Sequence, residues 1–541
     1  MSNKHFFFLV LLIFAGAFYV RYVDLATHFF VINDPSWFRF LFSTEWLKPE
    51  MEYRNLLYWA RWPSLLFSCV TLVLFFGYLS FYYQDVFYTH VPLYQALLAL
   101  GTVMVAFSWE HVIYAKDIGV TSAGPFFLVL FLFQLYHASR QDRISWKILF
   151  LHFSLVFVGC LVQAELLLFV PGLMLALSSL VFRPLFANHE KIRASVLLTV
   201  FFFLFSAAYI FASRALYPQG RAAVVGEVGP NKMFLLNLGQ YNGFFEKAGQ
   251  VIEFFPLNLG RLIGTHLSYT FEDTPLNYFF WSVCFFFLLF GFFKIWSESR
   301  DSVRRSLALF VSLTVFLGIC FVFSGRMALS PTRHYLILLP LMVLLVLEGV
   351  YLVVQVLWVA RVWSTRGLIP SVFALLICIS FAISFPQMMG ERQDPFDENA
   401  LIQLFKEHEV SLVYQPPQML NVNFMSKLKT QLSVISGLPT TESRSEKLRM
   451  PNIDQIAFFT QEQGLSSGAF DLFVKRFNEN PNHPMLKASL SDYDVIHHFA
   501  KDGTAMDYSK YSQGEVNRLQ VFILKRKEFS DARLEMPYDR L

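Results

Sequence analysis

Long, almost uncharged apolar runs recur through residues 1–388, and they limit the possible folds more than any other feature. A membrane-spanning helix needs about 20 mostly apolar residues. Runs near 5–21, 62–83, 91–109, 119–138, 194–212, 276–293, 306–324, 335–359 and 368–388 meet that need. Residues 148–182 form a longer run, broken by Gln163-Ala164-Glu165. It is too long for one span and reads as two short ones joined by a tight turn, so the expected total is about 11. Residues 19–25 lack a small-residue cleavage pattern, so the first run reads as a span and not as a signal peptide.

Composition narrows the class further. The chain is 55% hydrophobic and 16% charged, and its 63 Phe outnumber its 44 Lys+Arg. Such a chain is not disordered, since disorder needs low hydrophobicity and high charge. A net charge of +4 also argues against a nucleic-acid binder. The charges crowd into residues 389–541, with 18 Lys+Arg and 21 Asp+Glu, against 26 and 19 in residues 1–388. The chain therefore reads as an α-helical polytopic membrane body, 1–388, followed by a small soluble α/β domain, 389–541. All five Cys lie in apolar runs, so that domain has neither a disulfide framework nor a thiolate zinc site.

Lys and Arg in short loops set orientation. With the N-terminus inside, inner loops carry 13 basic residues, and the short outer loops carry only Lys116, Arg326 and Arg333. An odd number of spans then puts the 389–541 domain outside, extracytoplasmic. Two long loops, 21–61 and 213–276, face the same way. Chemistry on that face has no ATP to draw on, so its substrate must arrive already energised in the membrane.

The first outer loop holds Asp34-Pro35, a helix-start pair. Asp34 is either a cap or a carboxylate held at the water–lipid boundary, where partial desolvation raises its basicity. The second outer loop, Trp109-Glu110-His111-Val112-Ile113-Tyr114-Ala115-Lys116-Asp117, packs ionisable residues between two spans. Charges so near a bilayer are costly and usually functional; the plainer alternative is a self-paired Lys116/Asp117 anchor. The loop 325–334 brings Arg326, Arg333 and His334 to the outer face, against the positive-inside trend. An Arg there suits a phosphate through its planar fork of donors, or it contacts lipid headgroups. In the loop 213–276, His266 is either a packed structural residue or a substrate contact.

The order of these motifs resembles the GT-C superfamily of polyprenyl-phosphate-sugar-dependent membrane glycosyltransferases, the group that includes protein O-mannosyltransferases and aminoarabinose transferases. Asp34 matches its acidic motif after the first span. Arg61-Trp62-Pro63-Ser64 matches the entry to the second span, Tyr114–Asp117 the second outer loop, and Arg333–Pro340 the entry to a late span. Expected strands near 411–414, 432–436 and 519–525, after a helix near 399–409, are similar to the extracytoplasmic domain of bacterial members.

The resemblance implies an inverting transfer on the outer face of a bacterial inner membrane. A sugar would move from a polyprenyl phosphate to a hydroxyl of an acceptor glycan, lipid or protein. Asp34 would be the catalytic base. Arg333, with Lys116 and Arg326, would bind the donor phosphate. Asp117, Glu110, Tyr114, His266 and His334 would position substrates. Family members often carry Asp-Glu or Asp-Asp where this chain has Asp34-Pro35. A divalent metal ion, Mg or Mn, is therefore an open requirement; if one is used, Asp117 or Asp34 would hold it. The membrane lipid and the lipid-linked sugar are the implied partners, with no nucleic acid. The competing reading is a transporter or flippase of lipid-linked sugars, although residues 200–388 show no repeat of residues 1–200.

Overall fold

A computed structural model describes nearly all of residues 3–23, 53–116, 121–141, 146–181, 243–252, 275–299, 301–324, 333–359 and 367–391. It also describes shorter stretches within 404–415, 433–436, 453–501 and 519–535. The expected span 194–212 lies outside the described residues but for isolated positions. The chain is mostly helical with a small sheet, and it divides into two compact units. One comprises residues 1–23 and 61–386; the other, residues 24–60 and 387–541.

The helices lying wholly or mostly in the first unit are α1 (Asn3–Tyr22), α2 (Tyr53–Tyr82), α3 (Gln84–Thr89), α4 (Val91–Ala106), α5 (Trp109–Tyr114), α6 (Ala123–Arg140), α7 (Trp146–Val162) and α8 (Val170–Val181). They continue as α9 (Pro275–Ser297), α10 (Ser302–Phe323), α11 (Leu339–Val359) and α12 (Leu368–Glu391). Segments Asn3–Tyr22, Arg61–Tyr82, Ser302–Phe323 and Tyr335–Val359 are long and apolar enough to cross a membrane. Val91–Ala106, Phe150–Val162, Leu166–Leu180, Ser282–Ser297 and Leu368–Ile383 are shorter apolar stretches among the described residues. Phe7, Phe8, Leu11 and Leu12 on α1 and Phe286, Phe290 and Phe293 on α9 stay exposed. A water-facing surface rarely tolerates such rows, and a lipid-facing one requires them. The expected break at Gln163 is present: its backbone is extended, and a 3-10 helix, Ala164–Phe169, separates α7 from α8.

Side-chain contacts give each helix a direction. Gln95 donates to Asn3 at the start of α4 and α1, and Arg21 donates to the Ala106 carbonyl at their far ends, so these two run parallel. Ser68, midway along α2, accepts from Arg21, while Phe81, late in α2, accepts from Tyr136 near the end of α6. Ser122, at the start of α6, donates to Tyr114 of α5. Gln163, at the end of α7, lies against Gly124. Ser302, opening α10, donates to Ser139, closing α6. Gly367 lies against Pro92, and Phe381 of α12 packs on Phe107 with ring centroids 4.9 Å apart. The body therefore has two ends. One gathers the end of α1, the Arg61–Ser68 part of α2 and the start of α6 around α5. The other gathers the starts of α1, α4 and α10, with Arg140, Lys294 and Arg304.

The sheet of the second unit is five-stranded, in the order β2-β1-β3-β6-β5. Its strands are β1 (Leu412–Gln415), β2 (Ser433–Ser436), β3 (Gln455–Gln461), β5 (Tyr493–Lys501) and β6 (Leu519–Arg526). β2, β1 and β3 are parallel; β6 and β5 add on antiparallel. Alternation along the strands builds two cores. Tyr414, Phe458 and Leu524 meet Phe470, Phe473 and Phe477 of α13 (Ser467–Asn478) on one face. Val413, Phe459 and Ile523 meet Phe405 and Val410 on the other. Burial on both faces is what a parallel-rich sheet demands. A separate ribbon pairs β4 (Met485–Lys487) with β7 (Arg533–Glu535).

Candidate functional site

The stretch expected as an outer loop, Trp109–Lys116, is instead a buried short helix with a closing turn. α4 stops at Phe107, and Ser108, in an extended conformation, restarts the chain as α5. All six residues of α5 are buried, Glu110 and His111 among them. Such a short helix has little stability of its own and is held by its neighbours.

Arg21 is one of those neighbours. It is the last basic residue of α1, and it is fully buried. Its Nε donates to Ser68 Oγ at 2.8 Å. Nη1 donates to the carbonyls of Ala17 at 3.0 Å and Ala106 at 2.6 Å. Nη2 donates to the Val105 carbonyl and to His111 Nδ1, both at 3.1 Å. A guanidinium has five N–H groups, and all five are used. Two of the acceptors are the terminal carbonyls of α4, the negative end of that helix dipole. Beyond α5, Lys116 is buried, and its Nζ donates to the Val23 carbonyl at 2.7 Å. This bond ties the end of α5 to the end of α1. Arg61 and Ser64, the polar residues of the motif that opens the second span, are buried in α2 near the same end.

A 3-10 helix, Arg333–Leu338, leads into α11. It packs against α5, α6 and the 3-10 helix Ala164–Phe169. Glu110, Tyr114 and Lys116 thus share one end of the body with the helical turn that begins at Arg333 and His334. Part of the loop 213–276 lies on α10: Lys247 donates to the Phe323 carbonyl at 2.8 Å, and Phe244 stacks on the Phe323 ring. Asp34, Asp117, His266 and Arg326 lie outside the described residues.

Arg21, Ser68 and His111 are the residues that sequence reasoning did not single out. The available signal was one polar residue at the same end of each of three consecutive apolar segments. Among the described residues no group of three His, Cys, Asp or Glu side chains could hold a metal ion. Glu110 alone is a poor divalent site. In the sheet unit, His498 stacks on Phe522 and His497 approaches His408, ring contacts that give these histidines a packing role.

No protein-family model matches the chain, and no curated protein matches it.

Proposed function

We propose that this protein is an integral-membrane inverting glycosyltransferase that moves a sugar from a polyprenyl phosphate to an acceptor hydroxyl. The observation that carries the reading is the packing of the 3-10 helix beginning at Arg333 against α5, which bears Glu110 and Tyr114 and leads into Lys116. A lipid phosphate needs cations at the membrane boundary, and the proposal draws them from the two segments that pack together here, one beginning at Arg333 and one ending in Lys116.

In the proposed reaction, Asp34 takes the proton of the acceptor hydroxyl. The hydroxyl oxygen attacks the anomeric carbon on the face opposite the phosphate. The bond from that carbon to the phosphate oxygen breaks, and polyprenyl phosphate leaves with the electron pair. Arg333, Arg326 and Lys116 stabilise the negative charge on the departing phosphate. Glu110, Tyr114, Asp117, His266 and His334 orient the two substrates. A divalent ion, if bound, would add positive charge beside the phosphate. The finer topology belongs to the same proposal: about 11 spans, a bacterial inner membrane, and residues 389–541 outside the cytoplasm.

Purified protein in proteoliposomes, given radiolabelled polyprenyl-phosphate sugar and an envelope extract as acceptor, tests the reading. Label moving onto an acceptor supports it. Label that only changes leaflet supports the transporter alternative and refutes the enzyme.

A further inference from the structure

We infer that Arg21, His111 and Ser68 form a positioning clasp that sets α5 in register for binding lipid phosphate. The inference rests on the glycosyltransferase reading and adds three residues that touch no substrate in it.

The clasp joins three segments at one point. Arg21 comes from α1, Ser68 from α2 and His111 from α5. Hydrogen-bond directions fix its protonation. An arginine donates only, so His111 Nδ1, 3.1 Å from Arg21 Nη2, accepts and carries no proton. Its 3.3 Å approach to the Val105 carbonyl is then a contact between two acceptors that share one Nη2. The ring proton sits on Nε2 and is given to Ser68 Oγ at 3.1 Å. Ser68 Oγ also accepts from Arg21 Nε, closing a three-membered ring of bonds.

This ring stands beside the residues assigned to the donor. His111 is flanked by Glu110 and lies one helical turn before Tyr114 and Ala115. The chain then turns so that Lys116 reaches Val23, two residues beyond Arg21. α5 is therefore anchored twice to the end of α1 and the residue after it, once through His111 within the helix and once through Lys116 just past it. A six-residue helix so pinned cannot roll without breaking a bond to a buried guanidinium, and such bonds are costly to lose. Roll would displace Glu110, Tyr114 and Lys116 together.

The test measures the affinity of purified full-length protein for farnesyl phosphate, a short-chain polyprenyl phosphate, alongside the melting temperature. His111→Leu removes both bonds of the imidazole. His111→Gln restores an acceptor for Arg21 and a donor for Ser68 on one planar group. The clasp predicts that His111→Leu weakens farnesyl phosphate about tenfold, that His111→Gln recovers most of it, and that the melting temperature does not track the change. Equal affinity in wild type and His111→Leu overturns the clasp while leaving the enzyme reading intact. Affinity that simply follows the melting temperature also overturns it. Failure of the wild type to bind farnesyl phosphate refutes the underlying reading instead. Should His111→Leu not fold, Ser68→Ala replaces it, with a weakening of about threefold or more expected and an unchanged affinity counting against the clasp.

Discussion

Lys294 and Glu348 face each other inside the helical body, Nζ to Oε2 3.9 Å apart, and both side chains are removed from solvent. Lys294 closes α9, and Glu348 stands within α11. Glu298 joins them at 2.5 Å from Lys294 Nζ, and Arg304 at the start of α10 pairs with Glu298. The ammonium also lies 4.5 Å from the centre of the Tyr351 ring. Two cations and two carboxylates balance, and they link three helices at the end of the body away from α5.

Removing one partner from this set leaves a charge without its counterpart. Lys294→Met should cost about 3–5 kcal/mol, read as a fall in thermal stability of the purified protein. Lys294→Met combined with Glu348→Leu should recover much of the loss, because a well-packed apolar pair replaces a desolvated ionic one. A double variant no better than the single would show that the pair does not act as a unit.

The same two helices touch through glycine. A Cβ on Gly291 would strike the Leu345 carbonyl, and one on Gly349 the Phe287 carbonyl. Backbone on both sides cannot yield, so small residues are required at this crossing. Gly291→Val or Gly349→Val should separate α9 from α11 and sharply lower the yield of folded protein. Gly249→Ala, where a Cβ meets nothing within 4 Å, should be neutral. Normal folding of Gly291→Val would contradict the close approach.

Tyr493, at the start of β5, is buried and donates to the Ile453 carbonyl at 3.1 Å. Burial pushes its phenol above the ordinary tyrosine range. The folded state therefore holds this proton more tightly than the unfolded one. The stabilisation is complete below the unfolded pKa of about 10 and is lost as the pH climbs from there through the raised folded value. Stability of the sheet unit, followed by proteolysis of the intact protein, should fall above about pH 10. Tyr493→Phe should be less stable at neutral pH, with a shallower alkaline decline. An identical alkaline slope in the variant would assign the decline to other groups.

Much of this architecture is written locally. Among the described residues the apolar runs locate helices because lipid-facing surfaces leave no room for charge. Gln163 marks the break between α7 and α8 because its amide interrupts an otherwise continuous run. Strands expected at 411–414, 432–436 and 519–525 appear as Leu412–Gln415, Ser433–Ser436 and Leu519–Arg526, since short β-branched and aromatic stretches signal themselves. Contacts between distant segments are not legible in this way. Glu348 is a lone acid in an apolar run, and nothing near it in sequence points to Lys294. Glu110, His111 and Lys116 look like loop charges, yet they are buried; Lys116 is held by the Val23 carbonyl and His111 by Arg21. The polar end of the body emerges only once α1, α2 and α5 are seen side by side.

Transfer of radiolabel from a polyprenyl-phosphate sugar to acceptor, compared between wild type and Asp34→Asn in proteoliposomes, tests the central claim most directly. The expected result is transfer by the wild type and a loss of about 100-fold or more in the variant, at unchanged expression and unchanged binding of farnesyl phosphate. Equal transfer by both proteins would reduce Asp34 to a helix cap, and the absence of transfer by the wild type with every class of acceptor would contradict the account itself.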